Sequence, residues 1–436
     1  MNIFAWIGML GIVFFTLLPF VKKKNRTKKA TRVAIGTVAI ILGIIIAVLI
    51  FDVNYLLAVI VGFALMIVFD KKTYMKKRLI IYGSIILIFG IAGFALSREN
   101  PEYVLNHLKD NPQTTSLYLV ENGVELITYQ SDVVRPLAST VKMLIAAEYA
   151  MQIDAGLLNK DSSVPLADLS RYYLKNSDGG AHKEWLKSMH SEGKVENNNV
   201  KLHDVAKGMA TYSSNANTDY LIDLLGISAI NKRAKDFGLT QHEAVYPIVS
   251  ALLIPEHIKS ESMNGKQLVK KLKAMPMEEY RTLAEELSEQ MQEETIKVED
   301  LTFDLSMKLQ KVWSDKLIGA SANDYGKLLA IISNDELPPA ASEILRDLLE
   351  WPMELNERNH ERFTHLGAKG GSTVFIMNDA MYAESHAGDK IEIVLLTDDL
   401  SFWQGIQIRK NLSSFESEML GSEEFRLKVQ KELSEM

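Results

Sequence analysis

The sequence predicts an α+β domain preceded by four transmembrane helices. Three observations carry this prediction: four apolar runs at the N-terminal end, an alternating hairpin pattern behind them, and helical patterns that give way to strands near the end. A chain of 436 residues is long enough for two or three domains. We therefore predict a four-helix transmembrane region at residues 1–99 and a second domain at residues 100–436.

The four apolar runs are each close to the ~20 residues that a helix needs to cross a bilayer. They are rich in Ile, Val, Leu and Gly, poor in charge, and lie at residues 3–21, 33–51, 53–69 and 79–96. Buried helices of a soluble domain are the alternative, and four such runs in succession argue against it. A cleaved signal peptide is another interpretation of the first run, but no basic segment precedes it and no small-residue cleavage site follows.

The loops between these runs predict their orientation. Residues 22–32, between the first and second runs, and residues 71–78, between the third and fourth, are rich in Lys and Arg. The connector around Asp52 and Asn54 contains neither. Both basic loops are therefore expected in the cytoplasm, which places the chain after Leu96 on the extracytoplasmic side of a cell membrane.

Composition excludes several classes of function. The chain has no cysteine, so disulfides, thiol nucleophiles and Cys-based metal sites are excluded. Residues 1–99 hold 13 of the 48 Lys and Arg residues but only 3 of the 55 Asp and Glu residues, so the remainder is acidic and nucleic acid is not an expected partner. The nine histidines show no ligand pair at helical spacing, so neither a metal nor another cofactor is predicted. His386 lies on a predicted turn beyond the strand that carries Lys369, and it is the one histidine whose functional role is worth testing by mutation.

Local patterns predict the elements of the second domain. Alternation with a turn at Asn122 and Gly123 predicts a hairpin at 115–129, and unbroken Ala, Leu, Met and Ile predict a helix from Thr140 to near Gly156. The remaining patterns predict a stalk and short helix at 97–113, a polar region at 176–199, a helix at 200–211, an amphipathic helix ending at Gly226, two helices within 320–349 separated by Pro338 and Pro339, strands at 364–376, 380–384 and 390–397 with a β-turn at Asn378 and Asp379, and a largely helical end at 399–436.

Residues 257–316 are predicted as a helical insertion. They are highly charged, and Leu283, Leu287 and Met291 recur at helical spacing. The insertion is either a lid over a site or a solvated pair of amphipathic helices without a role in chemistry.

Ser139 and Lys142 form the first chemical motif. Pro136 marks a turn, so Ser139 falls in the first turn of the helix, and Lys142 lies on the same face. Backbone N–H groups at a helix start can stabilise an oxyanion, and a lysine in apolar surroundings can lose its proton and act as a base. This is the S-x-x-K arrangement of serine acyl-transferases; the alternative is an N-cap serine beside a solvated lysine. A second such string, from Ser191 to Lys194, lies in polar, Gly-containing sequence and is interpreted as coincidence.

Two further strings supply candidate groups. Ser213 and Asn215 lie in a short polar loop that opens into a helix, where a hydroxyl can relay protons and an amide can hold a carbonyl. A plain helix cap is the alternative, and residues 262–264 have the same Ser-x-Asn spelling. Lys369 precedes two glycines on a predicted strand, where glycine lets the backbone approach a ligand and the lysine supplies a cation; an ordinary edge-strand lysine is the alternative.

In this order and setting, the three strings resemble those of the penicillin-recognising serine hydrolases, and within them the class A β-lactamase-like group. The resemblance covers residues 112–436 and extends to the sequence that flanks the motifs. It implies a β-lactamase/transpeptidase-like fold, in which an antiparallel sheet with helices on both sides lies beside an all-helical half, with the site between them.

The resemblance also assigns roles by position. Ser139 would be the nucleophile and Lys142 its proton acceptor. Ser213 would relay a proton to the leaving nitrogen, and Asn215 would orient the substrate. Lys369 would meet the substrate carboxylate or tune Ser213.

The same resemblance places the oxyanion hole and shows a first departure from the family. The backbone N–H groups of Ser139 and Ser372 would form the hole, with Gly371 and Thr373 beside them in the substrate-binding region. The family usually has Thr or Ser where this chain has Gly370. A hydroxyl that helps to bind carboxylate is therefore lost, unless Ser372 or Thr373 replaces it.

Two more departures concern the acyl-enzyme. The middle residue of the Ser-x-Asn string is Ser214 in place of Asp. The Glu-x-x-Leu-Asn string, whose glutamate activates the deacylating water in class A enzymes, is missing between Gly238 and Leu253, and Glu243 is out of place by spacing. An acyl-enzyme with a β-lactam is therefore expected to persist, or the substrate is a different one.

Three functions remain open on the sequence. The first is a membrane-anchored serine hydrolase that acts through an acyl-enzyme on β-lactams or related amide or ester bonds, with a D-Ala-D-Ala carboxypeptidase or penicillin-binding protein as the alternative. The second is a β-lactam sensor that acylates once and signals through its membrane helices, although the chain lacks an H-E-x-x-H motif. The third is a structural wall-binding module. A lipid bilayer and a β-lactam or peptidoglycan-like small substrate are the expected partners, and the sequence leaves the oligomeric state open.

Overall fold

The computed structural model describes residues 99–175, 177–296 and 306–435. Apart from Glu99, these residues belong to the unit Asn100–Met436. The four predicted membrane runs and residues 297–305 of the predicted insertion lie outside the described residues. No helix within the described ranges has both the length and the apolar character that a bilayer crossing needs.

The strands form one five-stranded antiparallel sheet and two small two-stranded pairs. In chain order they are β1 (Thr115–Glu121), β2 (Val124–Tyr129), β3 (Arg135–Pro136), β4 (Ser163–Pro165), β5 (Asn199–Lys201), β6 (Gly319–Ala320), β7 (Phe363–Ser372), β8 (Met377–Ser385) and β9 (Lys390–Thr397). The large sheet has the order β2-β1-β9-β8-β7, and the small pairs are β3-β6 and β4-β5. The antiparallel sheet that the resemblance implies is confirmed.

Helices make up most of the rest of the described chain. In chain order they are α1 (Pro101–Asp110), α2 (Lys142–Asp154), α3 (Leu166–Ser170), α4 (Ala181–Ser191), α5 (Leu202–Ala210), α6 (Asn215–Leu225), α7 (Ile227–Asp236), α8 (Ile248–Ala251), α9 (Ile254–Ile258), α10 (Gly265–Ala274), α11 (Met277–Gln292), α12 (Met307–Asp315), α13 (Ala322–Ser333), α14 (Pro339–Leu349), α15 (Trp351–Leu355), α16 (Glu357–Arg362), α17 (Phe402–Gly421) and α18 (Glu423–Ser434).

Helices cover both faces of the large sheet. Because side chains alternate along a strand, Leu117 and Leu119 of β1 face one way and Tyr118 and Val120 the other. The leucines pack with α1, α17 and α18 in one apolar core. Tyr118 and Val120 join a second core that continues through α13 into the helical half. Burial of each leucine contributes about 1.5–3 kcal/mol to this packing.

Helix α2 lies at the centre of the helical half. All nine of its first residues, from Lys142 to Ala150, are buried, which accounts for the absence of a polar stripe in its sequence. A 3-10 turn, Ala138–Val141, precedes it, so the regular helix begins two residues later than the pattern predicts. β7 runs against this turn, and Ser139 therefore lies where the sheet meets the helical half.

The predicted helix at 200–211 begins at Leu202, after the strand β5, and the predicted strand at 364–376 ends at Ser372. Two further departures concern the kind of element. The predicted β-turn at Asn378 and Asp379 is wrong, because both residues lie within β8 and the chain reverses before Met377. Asn378 is instead held by tertiary hydrogen bonds: its amide donates to Pro136 O over 2.8 Å and accepts from Thr397 N over 2.7 Å. Helix α4 lies within residues 176–199, which the sequence predicted only as a polar region.

Candidate active site

The structure brings four of the predicted side chains together around one hydroxyl. Lys142 Nζ lies within hydrogen-bonding distance of three oxygens, at 2.7 Å from Ser213 O, 2.8 Å from Asn215 Oδ1 and 3.1 Å from Ser213 Oγ. Lys369 Nζ reaches the same Oγ over 3.1 Å and also donates to Gly370 O over 3.0 Å. Three separate elements, α2, α6 with its preceding turn, and β7, therefore converge on Ser213.

Ser139 lies in the 3-10 turn that immediately precedes α2. Its carbonyl accepts from the N–H of Lys142, which fixes the serine one turn ahead of the lysine. Ser139 is half-buried, whereas Lys142 is fully buried. Ser139 thus keeps partial exposure to solvent, whereas the amine of Lys142, one turn further along the chain, is withdrawn from it.

Burial changes the protonation of both lysines. Desolvation, and then the positive charge of Lys369, holds the pKa of Lys142 well below its ordinary value, while Asp178 and Asp219 act in the opposite direction. Burial lowers the pKa of Lys369 to about 8, and the charge of Asp379 opposes this shift. Lys142 is therefore the group suited to act as a neutral base, and Lys369 remains the cation near pH 7.

Ser213 is held in an unusual backbone conformation. Its φ of 67° is in the left-handed region, which costs a non-glycine residue about 1–3 kcal/mol. The helix-cap alternative applies to its neighbour: Ser214 accepts the N–H of Asn217 and caps α6. Ser213 is consequently free to meet the lysines, and capping does not account for it.

The end of β7 fits tightly against the turn that carries Ser139. A Cβ added at Gly371 would lie 2.4 Å from Leu137 O and 2.7 Å from Thr140 N, so only glycine allows this approach. A Cβ at Gly370 would meet nothing closer than 3.6 Å. A Ser or Thr side chain, which the family usually has at this position, would therefore find space for its Cβ at Gly370.

Two hydroxyls were candidates to replace it. Thr373 Oγ1 accepts from Ser314 Oγ over 2.9 Å and from Phe375 N over 3.0 Å, so it is committed to the turn and to α12. Ser372 is exposed. Ser372 is therefore the more exposed of the two hydroxyls, and Thr373 retains only its O–H as a donor.

The segment that would carry a deacylating base is apolar and covered. Asp219 of α6 accepts the N–H groups of Ile248 over 2.8 Å and Val249 over 2.7 Å, which fixes α8 beside the site. Burial raises the pKa of Asp219 to about 7, while these hydrogen bonds and the charge of Lys142 oppose the shift. All four side chains of α8 are buried. Asp219 is the carboxylate that hydrogen-bonds to this segment, and each of its two oxygens already accepts a backbone N–H group.

The predicted insertion closes this region from outside. Ser250 Oγ donates to Ala284 O over 2.7 Å, and Tyr280 OH donates to Ala251 O over 3.3 Å, so α11 packs directly on α8. Glu243, the nearest carboxylate in sequence, instead contacts Arg281 over 3.3 Å. The described part of the insertion is thus a packed wall, neither a separate solvated pair nor a free flap.

Other sequence candidates lie apart from this group. The ammonium of Lys194 pairs with Glu192 over 2.8 Å, so the second S-x-x-K string is a surface feature. Asn264 caps α10. His386 is exposed and contacts His360 O over 2.9 Å.

A second buried residue beside the site, besides Asp219, was not predicted from the sequence. His182 Nδ1 lies 3.0 Å from Ser214 Oγ, directly behind Ser213. The available signal was the spacing of His182, Trp185 and Met189, which form the buried face of α4.

Comparison with known proteins gives one family. Residues 101–414 match the model of the beta-lactamase enzyme family. Similar solved structures include a beta-lactamase from Chitinophaga pinensis, with 14% identity and a TM-score of 0.45 over 73% of this chain and 99% of that chain. Another is a representative of class A beta-lactamase from Bacteroides cellulosilyticus, with 12% identity and a TM-score of 0.46 over 77% and 100%. A mutant of PBP-A in an acyl-enzyme complex with penicillin G has 15% identity and a TM-score of 0.44 over 77% and 96%. No curated protein matches the sequence.

Proposed function

Because the chain belongs to the beta-lactamase enzyme family, whose model matches residues 101–414, we propose that it is a serine hydrolase that acylates Ser139 and releases the acyl group slowly. The observation that carries the proposal is the convergence of Lys142 and Lys369 on Ser213 Oγ. A neutral amine, a hydroxyl relay and a cation are the three groups that acyl transfer from an amide needs beside the nucleophile.

The proposed mechanism assigns one role to each of these groups. Lys142 Nζ takes the proton of Ser139 Oγ as that oxygen attacks the substrate carbonyl. The negative charge on the carbonyl oxygen is stabilised by the N–H groups of Ser139 and Ser372. The proton then passes from Lys142 through Ser213 Oγ to the leaving nitrogen, so that the amide bond breaks and an ester on Ser139 remains. Lys369 stays cationic and attracts a carboxylate on the substrate.

Slow release follows from the covered segment next to the site. A deacylating water needs a base, and both oxygens of Asp219 already accept backbone N–H groups. The side chains of α8 are apolar apart from Ser250, whose hydroxyl donates to α11. The acyl-enzyme is therefore expected to accumulate.

We propose a β-lactam as the substrate, or the D-Ala-D-Ala end of a peptidoglycan stem, and a membrane-anchored chain with this domain outside the cell. The apolar runs and basic loops of residues 1–99 support the anchor and its orientation. A β-lactam-binding sensor without turnover is the second candidate, and the burial of α8, where the resemblance would place a deacylating carboxylate, favours it.

Intact-mass measurement of the full chain with penicillin G, followed over time, tests the proposal. A single adduct on Ser139, formed faster than it is lost and absent from Ser139→Ala, is expected. Parallel measurement of nitrocefin hydrolysis separates the candidates, since slow turnover supports the hydrolase and a permanent adduct supports the sensor. No adduct on the wild-type chain overturns acylation at Ser139, and turnover without accumulation overturns slow release.

A further inference from the structure

A cluster of buried polar side chains lies behind Ser213, and the acyl-transfer steps above do not use it. His182 Nδ1 is 3.0 Å from Ser214 Oγ and 3.1 Å from Asn217 Oδ1. All three side chains are buried. They join α4 to the first turn of α6, next to the residue on which both lysines converge.

The surrounding hydrogen bonds assign the proton on His182. Asn217 Nδ2 donates to Val205 O over 3.0 Å, so Asn217 Oδ1 faces the histidine as an acceptor. The Ser214 hydroxyl donates to the same Oδ1 over 2.9 Å, which leaves its own oxygen to accept. Because both neighbours of Nδ1 are acceptors, Nδ1 carries the proton. Burial lowers the pKa of His182, so the ring is neutral near pH 7 and this N–H is its one donor.

The ring that donates this hydrogen bond is fixed in place. Tyr173 stacks on it with 4.6 Å between ring centroids, and Trp185 lies 5.3 Å away in a tilted arrangement. Trp185 Nε1 donates to Asp204 O over 3.1 Å, which ties the same helix face to α5. The donor on His182 is therefore aimed at Ser214 by its packing as well as by its acceptors.

The backbone at Ser213 depends on these neighbours. Ser214 N donates to Gly208 O over 3.0 Å, and a Cβ at Gly208 would lie 2.1 Å from Asn217 Nδ2 and 2.8 Å from Trp185. Helices α4, α5 and α6 thus meet immediately behind the turn. A residue in the left-handed region keeps that conformation only where the surroundings impose it, and Ser213 has φ 67°.

We propose that His182 is a positioning residue, whose N–H bond to Ser214 holds Ser213 in the conformation that presents its hydroxyl to Lys142 and Lys369. The inference rests on the proposed function, since the position of Ser213 affects rate only if it relays the proton. Loss of the bond lets the turn relax toward an ordinary φ and moves the hydroxyl away from the amine.

Two variants of His182 in the full chain separate the hydrogen bond from packing. His182→Phe keeps an aromatic ring against Tyr173 and removes the donor. His182→Asn places an amide N–H close to the position of Nδ1. His203→Phe is the matched control, because His203 likewise lies beside a tyrosine ring, that of Tyr149, and its ring nitrogens likewise have hydrogen-bond partners, Tyr149 OH and Asp347, but outside the site.

Acylation by penicillin G and hydrogen exchange of the backbone at 213–217 are the two measurements. His182→Phe is expected to lower the limiting acylation rate by on the order of 10- to 100-fold, while the half-saturating concentration changes by less than about twofold. Exchange at 213–217 is expected to become faster in the same variant. His182→Asn is expected to restore most of the acylation rate and most of the slow exchange at 213–217. His203→Phe is expected to change neither the rate nor the exchange.

An unchanged rate and unchanged exchange in His182→Phe overturn the inference. Equal losses in the Phe and Asn variants overturn it as well, because they assign the effect to shape. If the wild-type chain is not acylated, the proposed function fails and exchange alone decides: faster exchange at 213–217 in His182→Phe supports the positioning role, and unchanged exchange ends it.

Discussion

Lys142 and Lys369 donate hydrogen bonds to the same atom, Ser213 Oγ, each over 3.1 Å. Two ammonium ions that share one acceptor repel each other, and burial removes the water that would screen them. This electrostatic repulsion disappears when one of the two ammonium groups loses its proton. Desolvation and the charge of Lys369 both act on Lys142 in this direction, so the fold itself generates the neutral base.

The first prediction is a bell-shaped pH dependence of acylation. The second-order rate constant is expected to rise as Lys142 loses its proton, well below the ordinary lysine value, and to fall as Lys369 loses its own with a pKa of about 8. Both pKa values are lowered, so both protons leave at a lower pH than from exposed lysines. Measurement with penicillin G from about pH 5 to pH 10 reports these groups in the free enzyme.

Lys369→Arg provides the control for this assignment. A guanidinium keeps its proton throughout the range, so the falling limb is expected to move to higher pH even where the rate itself is lower. A falling limb that stays near the same pH in the variant shows that another group causes it.

The second prediction separates the two S-x-x-K strings. Lys142→Met removes the base and is expected to lower the acylation rate by on the order of 10²–10⁴-fold, and Ser139→Ala to abolish the adduct. Ser191→Ala and Lys194→Met make the same changes in the surface string, where Lys194 pairs with Glu192, and are expected to leave the rate unchanged. Rapid acylation of Lys142→Met contradicts its role as the base.

The third prediction concerns the two adjacent glycines of β7. Gly371→Ala places a Cβ 2.4 Å from Leu137 O, a backbone atom, and is expected to lower the free energy of unfolding by about 1–3 kcal/mol. In Gly370→Ala the added Cβ lies at an ordinary contact distance of 3.6 Å from its nearest neighbours, so the free energy of unfolding is expected to change by less than about 0.5 kcal/mol. Denaturant unfolding measures both, and equal stability of the two variants contradicts the tight approach of β7 to the serine turn.

The sequence predicted those parts of the fold that have a local cause. The hairpin follows from Asn122 and Gly123, which adopt φ of 51° and 79° as a tight turn requires. The strand β9 begins and ends where the pattern placed it. Helix α2 was found because it contains neither Gly nor Pro over its length.

Features with long-range causes were not predictable from the sequence. Asn378 resembles a turn residue, but its side chain bonds to Pro136 and Thr397, which are remote in sequence, and this places it in a strand. Helix α4 has only a weak apolar periodicity in its sequence, because one of the three residues on its buried face, His182, is polar. The contact between α11 and α8 likewise has no local signal in the sequence.

The last prediction concerns a carboxyl pair on the far side of the sheet from the site. Asp379 of β8 and Glu416 of α17 lie close enough for each carboxyl group to perturb the pKa of the other, and two buried carboxyl groups at such a distance are stable only when they hold a proton. Within the described part of the chain, Asp379 Oδ1 and Glu416 Oε1 are buried without a partner. Burial raises the pKa of Asp379 to about 6 and that of Glu416 well above its ordinary value, while Lys369 opposes the shift at Asp379.

A raised carboxyl pKa means that the folded chain holds a proton which the unfolded chain has released. The contribution of the pair to the free energy of unfolding is therefore complete below about pH 4 and is lost as the pH rises through about 6. Glu416→Gln keeps a hydrogen bond to an ionised Asp379, so it is expected to be more stable than wild type near pH 7.5 by on the order of 1–2 kcal/mol. Denaturant unfolding at a series of pH values measures this gain, which should vanish below about pH 4. Glu418→Gln, an exposed change on the same helix, serves as the control. A gain that is constant with pH, or a loss near neutral pH, rules out proton sharing between Asp379 and Glu416.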